Sequence, residues 1–280
     1  MRHQIAVLIT IAIMPALTLS RAAGQDKPDL DKFLARKAGT IPVIVSAPHG
    51  GRIRLPEVPD RKGDGIGKFV VVNDTNTDVL AEKLAEAIAK KLGGRPYFVI
   101  AHFERKQADA NRPAESAYED PKAKPYYDAY HKALADSTAE VRKTWGRGLL
   151  LDLHAQAADA NAIFRGTQNL KSVAALKDRF GMKALTGPNS VLGYLAREKS
   201  IAVIPAIDAD PTAKEDSRFN GGYIVKTYGS DAGTGVDAIQ LEFGGKFRTK
   251  AALDQTATDV AEAVAAFQKA YLPAEKLPGK

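Results

Sequence analysis

Five apolar runs of strand length, separated by stretches of helical periodicity, constrain this chain more than any other feature. They are Ile41–Ser46, Tyr97–Ala101, Gly148–Leu153, Ile201–Ile204 and Ala238–Phe243. Runs this short and apolar predict strands buried on both faces, as in an α/β sheet. Between them, Leu80, Leu84 and Ile88 recur at helical spacing until Gly93-Gly94, behind N-cap chemistry in Asp74-Thr75-Asn76-Thr77. Tyr126–Arg142, Val173–Phe180 and Ser190–Glu198 also predict helices, and Val260, Val264, Phe267 and Tyr271 mark one face of a last helix from about Ala251. Phe69–Val72 predicts a short strand, and Gln25–Gly39 a polar lead-in. With no internal repeat and no low-complexity linker, the chain predicts a single α/β domain, a mixed β-sheet flanked by helices. Three long irregular stretches, Arg52–Lys68, Phe103–Pro125 and Pro205–Gly222, are of the length that serves a site.

The first 24 residues stand apart. A short basic start at Arg2 and His3, an apolar run from Ile5 to Leu19 and small residues at Ser20–Gly24 predict a secretory signal peptide over residues 1–24. The apolar run is short for a membrane span. The reading is therefore a periplasmic or secreted domain over residues 25–280, without a stable membrane anchor once the leader is cleaved. The chain has no cysteine, which excludes a lipoprotein anchor and a disulfide framework and leaves only nitrogen and oxygen ligands for a metal. The formal charge is +7, and two of those charges, Arg2 and Arg21, would leave with the leader. Basic residues are scattered among acids with no aromatic interleaving, which argues against nucleic acid, while a basic field favours an anionic substrate.

His49 follows the first predicted strand and His154 the third. Ligands and catalytic groups of α/β sheets collect beyond the carboxyl ends of the strands. Two imidazoles delivered there, with acids on neighbouring segments, have the makings of a metal site.

The motifs around them form an ordered set: Ser46-Ala47-Pro48-His49-Gly50-Gly51, Asp74-Thr75-Asn76-Thr77, Arg105 with Asp109-Ala110-Asn111-Arg112, Tyr130-His131, Leu151-Asp152-Leu153-His154, Phe219-Asn220-Gly221-Gly222-Tyr223 with Tyr228-Gly229, and Ala238-Ile239-Gln240-Leu241-Glu242. In this order the chain resembles the N-formylglutamate amidohydrolase family from about Ile41 to Arg248. The resemblance implies a zinc carboxypeptidase-like (phosphorylase/hydrolase-like) fold and one divalent ion, Zn2+. It also implies hydrolysis of the amide of an N-acyl amino acid. His49 and His154 would be two metal ligands. The carboxypeptidase pattern places a glutamate three residues after the first histidine, where this chain has Arg52. Asp74 is the best third ligand, with Glu57 and Asp78 as alternatives, and Asp74 also reads as a plain N-cap.

Glu242, at the end of an apolar strand, would be the general base, its carboxyl raised by desolvation. The competing reading pairs it with Lys246 or Arg248. Arg112 offers a planar fork for a substrate carboxylate, and Asn111 an amide beside it. Asp109 would fix the tautomer of His49, and Arg105 would stabilise the oxyanion; the alternative is a loop-anchoring salt-bridge cluster. Tyr223 and Tyr228 are candidate substrate contacts or proton donors, although Gly221-Gly222 also reads as a turn. His131 reads as a packing residue and His102 as a strand end. Ser46 lies outside any Gly-x-Ser-x-Gly elbow. Two other functions stay open: a zinc carboxypeptidase acting on peptides or peptidoglycan, and a metal-free binding protein on the same fold.

Overall fold

The computed structural model describes residues 29–64, 69–210 and 213–278; the signal-peptide reading falls outside them. Seven strands form one mixed sheet in the order β1-β3-β2-β4-β7-β5-β6. They are β1 (Leu34–Lys37), β2 (Val43–Ala47), β3 (Tyr97–Ala101), β4 (Gly148–Ala155), β5 (Ala162–Gly166), β6 (Ala202–Ile204) and β7 (Val236–Phe243). The central strands β3, β2, β4 and β7 are parallel. At one edge β1 runs antiparallel to β3, and at the other β5 runs antiparallel to β7. Eight α-helices connect them: α1 (Thr77–Leu92), α2 (Ala114–Ala117), α3 (Lys124–Trp145), α4 (Ala174–Phe180), α5 (Lys183–Thr186), α6 (Val191–Glu198), α7 (Tyr223–Tyr228) and α8 (Leu253–Tyr271). No helix among the described residues is long and apolar enough to cross a membrane.

The five strands predicted from the apolar runs all form. Helix α1 ends at Gly93, whose φ of 67° is the left-handed conformation that glycine adopts without strain. Three expectations fail. The lead-in contains β1, which escapes notice because only Leu34 of its four residues is buried. Strand β5 was hidden in Ala162-Ile163-Phe164-Arg165-Gly166, where the buried Arg165 interrupts the apolar run. Phe69–Val72 forms no strand, because its carbonyls bond to arginine side chains instead of a neighbouring strand.

Strand alternation divides the core into two layers. Val43, Val45, Leu149, Leu151, Leu153, Ile239 and Leu241 face α1, α6 and α8. Ile44, Leu150 and Ala238 face the α3 and α7 side. On that second face the rows change character towards the strand ends. Ile44, Leu150 and Ala238 form an apolar row across β2, β4 and β7. The next row is Ser46, Asp152 and Gln240, and after it His154 pairs with Glu242. Polar residues displace apolar ones in register on three parallel strands, at the carboxyl edge where ligands bind.

Candidate metal and hydrolytic site

His49 lies two residues beyond β2, and His154 is the penultimate residue of β4. Their rings meet edge to face, with centroids 4.9 Å apart. Asp74 reaches both from the loop ahead of α1: its Oδ2 lies 3.4 Å from His49 Nδ1 and 3.2 Å from His154 Nδ1. All three residues are buried. They form a group whose ligand atoms lie within 4.8 Å of one another.

Asp74 is no plain cap. Asn76 occupies the N-cap position of α1, and the Asp74 carboxylate instead accepts from the Ala155 backbone N–H (3.1 Å) and Arg105 Nη1 (3.4 Å). The alternatives fall away from the site. Glu57 is exposed and paired with Lys122 at 2.8 Å, and Asp78 is not part of the histidine–aspartate group.

Each imidazole has a carboxylate behind it. His49 Nε2 lies 2.6 Å from Asp109 Oδ1, and His154 Nε2 lies 2.8 Å from Asp152 Oδ2. Such partners fix the tautomer that leaves the opposite nitrogen for a ligand. Asp109 therefore stands where the sequence placed it. Asp152 was missed, although it sits two residues before His154 on the same strand face, and period-two reasoning would have found it. Ser46 Oγ donates to the other oxygen of Asp152 at 2.6 Å.

Electrostatics favour a cation. Burial alone would raise the Asp74 carboxyl, but the adjacent imidazoles of His154 and His49 hold it well below the usual carboxylate range. Burial likewise opposes ionisation of His154, but Asp152 outweighs it and raises the imidazole well above its ordinary value. Asp109 is also held low against burial, chiefly by His49. Four carboxylates (Asp74, Asp109, Asp152 and Glu242) share this buried cluster with two guanidiniums, Arg61 and Arg105. Without a metal, protons on His154 and Glu242, both held on by raised pKa values, offset part of that negative charge. A divalent ion would replace them, and metal binding at such sites releases protons. His49 Nδ1 is buried and, although 3.4 Å from Asp74 Oδ2, makes no hydrogen bond. The donor set of two imidazole nitrogens and a carboxylate fits zinc.

Glu242 is the cross-strand neighbour of His154 and is 7% exposed. Burial pushes its carboxyl up from 4.5 to about 7, against the opposing charge of His154. It forms no ion pair with Lys246 or Arg248; it accepts from Gln240 Nε2 at 2.7 Å. Arg248 spends its donors on the carbonyls of Phe243, Thr75 and Gln156.

A cavity of about 900 Å³ opens over this group, and His49, Asp74, Arg105, Asn111, Arg112, His154 and Glu242 all contribute to its wall. Arg105 binds Asp109 through Nε (3.0 Å), and its Nη1 reaches Asp74 and the Val72 carbonyl. Asn111 is locked between elements: its Oδ1 accepts from Ile224 N–H, and its Nδ2 faces His154 and Gln240. Gly222 packs so closely on Asn111 that any β-carbon there would strike the amide. The Gly-Gly pair is therefore a close approach leading into α7, more than the turn it resembled. Tyr223 opens α7 and lines an adjoining depression that shares Asn111, Arg112 and Gly222, and it does not line the main cavity. Tyr228 is buried, bonded to His131 at 2.9 Å, and His131 packs among Tyr127, Tyr130, Tyr223 and Tyr228.

The mixed sheet flanked by helices makes the chain an α/β protein, and the comparisons show what it is similar to. Its sequence is similar to that of the N-formylglutamate amidohydrolases: the model of that family matches residues 119–247, a stretch that contains His154 and Glu242. The chain is 24% identical over 244 residues to N-formylglutamate deformylase of Pseudomonas aeruginosa, spanning 76% of this chain and 84% of that protein. The crystal structure of N-formylglutamate amidohydrolase from Ralstonia eutropha superposes with a TM-score of 0.59 at 14% identity, covering 85% of this chain and 98% of the other. A gene product of Agrobacterium tumefaciens superposes at 0.51 with 13% identity, covering 85% and 95%. The last two likenesses concern the fold.

Proposed function

We propose that the protein is a metal-dependent amidohydrolase that cleaves the amide of an N-acyl amino acid bearing a free carboxylate, and that it acts in the periplasm or outside the cell. The observation that carries this reading is the buried His49–Asp74–His154 group beside a desolvated Glu242. Zinc is the ion the donor set suits, held by His49, Asp74 and His154. When bound, it would supply Lewis-acid polarisation of the amide carbonyl and acidification of water.

The chain's own residues cover the rest of the chemistry. Glu242, with a carboxyl near neutrality, takes a proton from the attacking water and returns one to the departing amine. Among the described residues the bonds of the Arg105 guanidinium use Nε and Nη1, which leaves Nη2 for the oxyanion. Asp109 and Asp152 hold the imidazoles. The substrate carboxylate falls to Arg112. Of the four arginines on the cavity wall, Arg105 is neutralised by Asp109 and Asp74, Arg218 by Asp216 at 2.7 Å, and Arg248 by carbonyls. Among the described residues the Arg112 guanidinium makes one hydrogen bond, to the Asn111 carbonyl, and no ion pair. The orphaned His49 Nδ1 favours this reading over a metal-free binding protein. The relatives favour small acyl-amino acids over the peptides of a carboxypeptidase.

Amine release from N-acyl amino acids, measured with metal-supplemented protein, tests the proposal, and absence of turnover across formyl, acetyl and longer acyl derivatives rejects it. Arg112→Lys keeps the charge but loses the fork. It should lower kcat/KM by about tenfold or more for substrates with a free carboxylate and spare their carboxamides. Equal losses on both would return Arg112 to a structural role.

A further inference from the structure

Among the described residues only four large apolar side chains are exposed, and three of them are consecutive: Val70, Val71 and Val72, the last 71% exposed. Phe69, Val70 and Val72 line the same cavity as the histidines and Glu242. This is the run that the sequence predicts as a strand.

Its exposure is not slackness. Buried Arg61 donates Nη2 to the Val70 carbonyl at 3.0 Å and to that of Arg105 at 2.8 Å. Arg105 Nη1 binds the Val72 carbonyl. Asn73 accepts from Arg105 N–H and donates to the Gly51 carbonyl, and Asp74 N–H binds the His49 carbonyl. Phe69 packs over the Arg61 guanidinium at 5.1 Å. The backbone is thus pinned by guanidiniums and amides, which replace a sheet ladder, and its apolar side chains are left on the cavity wall. Apolar surface fixed in the open at a cavity marks a binding site.

We infer that Phe69, Val70 and Val72 form an acyl subsite, so that the substrate carries an apolar acyl chain of several carbons. This rests on the amidohydrolase reading and specifies its substrate. The wall adjoins Asp74, because Arg105 Nη1 bonds to both Val72 and Asp74. Arg112 lies with Asn111, which faces His154 and Gln240. The apolar wall and Arg112 line one cavity with the reacting group; with Arg112 holding the carboxylate end, the group that falls to the wall is the acyl chain across the amide. A cavity of about 900 Å³ is near the top of the range of roughly 300–1,000 Å³ that encloses drug-sized ligands, far more than a formyl amino acid fills. In the reaction the amide C–N bond breaks, a C–O bond to water forms, and the products are a fatty carboxylate and a free amino acid that takes up the released proton.

The test compares N-formyl-, N-acetyl- and N-hexanoyl-glutamate, with N-formyl-leucine as a control that places the apolar group on the amino acid. Calorimetric Kd on metal-free protein and kcat/KM on metal-supplemented protein are both read. Hexanoyl should exceed formyl by about tenfold or more in each, the gain expected from burying roughly two methylenes. The double variant Val70→Ser/Val72→Ser should narrow the hexanoyl-to-formyl ratio to within about threefold, with thermal unfolding reporting that it folds. Preference for formyl, an undiminished ratio in the variant, or a gain confined to N-formyl-leucine overturns the acyl subsite while leaving the amidohydrolase reading intact. No turnover of any derivative rejects that reading and the subsite with it.

Discussion

Glu242→Gln should lower kcat by about 10²–10⁴-fold, the usual worth of a positioned general base, while metal binding survives. The substitution keeps the shape and the contact with Gln240 but removes the proton acceptor. The pH profile separates this from a structural effect. Burial raises the Glu242 carboxyl to about 7, so the basic form predominates above that value and is lost as pH falls through it. Wild-type kcat/KM should therefore decline along a one-proton acid limb. A bound cation draws the carboxyl down, which puts the limb of the loaded enzyme at or below pH 7. In Glu242→Gln this limb should vanish. An active Glu242→Gln protein, or an unchanged limb, would remove the glutamate from the mechanism.

Asp74→Ala should be nearly as severe, by a different route. The substitution deletes the carboxylate between the two imidazoles and the acceptor for Ala155 N–H and Arg105. Metal affinity should fall by more than the 10–100-fold typical of removing an outer partner. Asp109→Ala, which removes such an outer partner from His49, supplies that benchmark in the same protein. Competition with a chromogenic chelator would measure both. Equal affinity losses for the two variants would mean that Asp74 is a support and not a ligand.

The parts of this site that were legible in the sequence are those carried by strand ends. His49, His154 and Glu242 follow or close apolar runs, and parallel register then brings them together. Asp74 was visible as one of several acids, but only the packing of its loop against β2 and β4 distinguishes it from Asp78, four residues on, and from Glu57. Gln240 and Asp152 were hidden because a polar residue inside an apolar strand looks like an interruption until pairing aligns it with Ser46. Strands β1 and β5 were obscured for related reasons: one is mostly exposed, and the other carries a buried arginine that pairs with Glu215 at 2.8 Å across a long loop. The Phe69–Val72 run shows the converse. Its β-forming residues predict a strand, but its backbone carbonyls bond to Arg61 and Arg105, so tertiary contacts override propensity.

His49, Asp74 and His154 are expected to hold one divalent ion, and elemental analysis of the purified protein after zinc reconstitution and removal of excess metal decides whether they do. One zinc per chain is expected, reduced to background in His49→Ala and in His154→Ala, with circular dichroism verifying that both variants remain folded. No stoichiometric metal in the wild type, or metal retained in full by both folded variants, would contradict it.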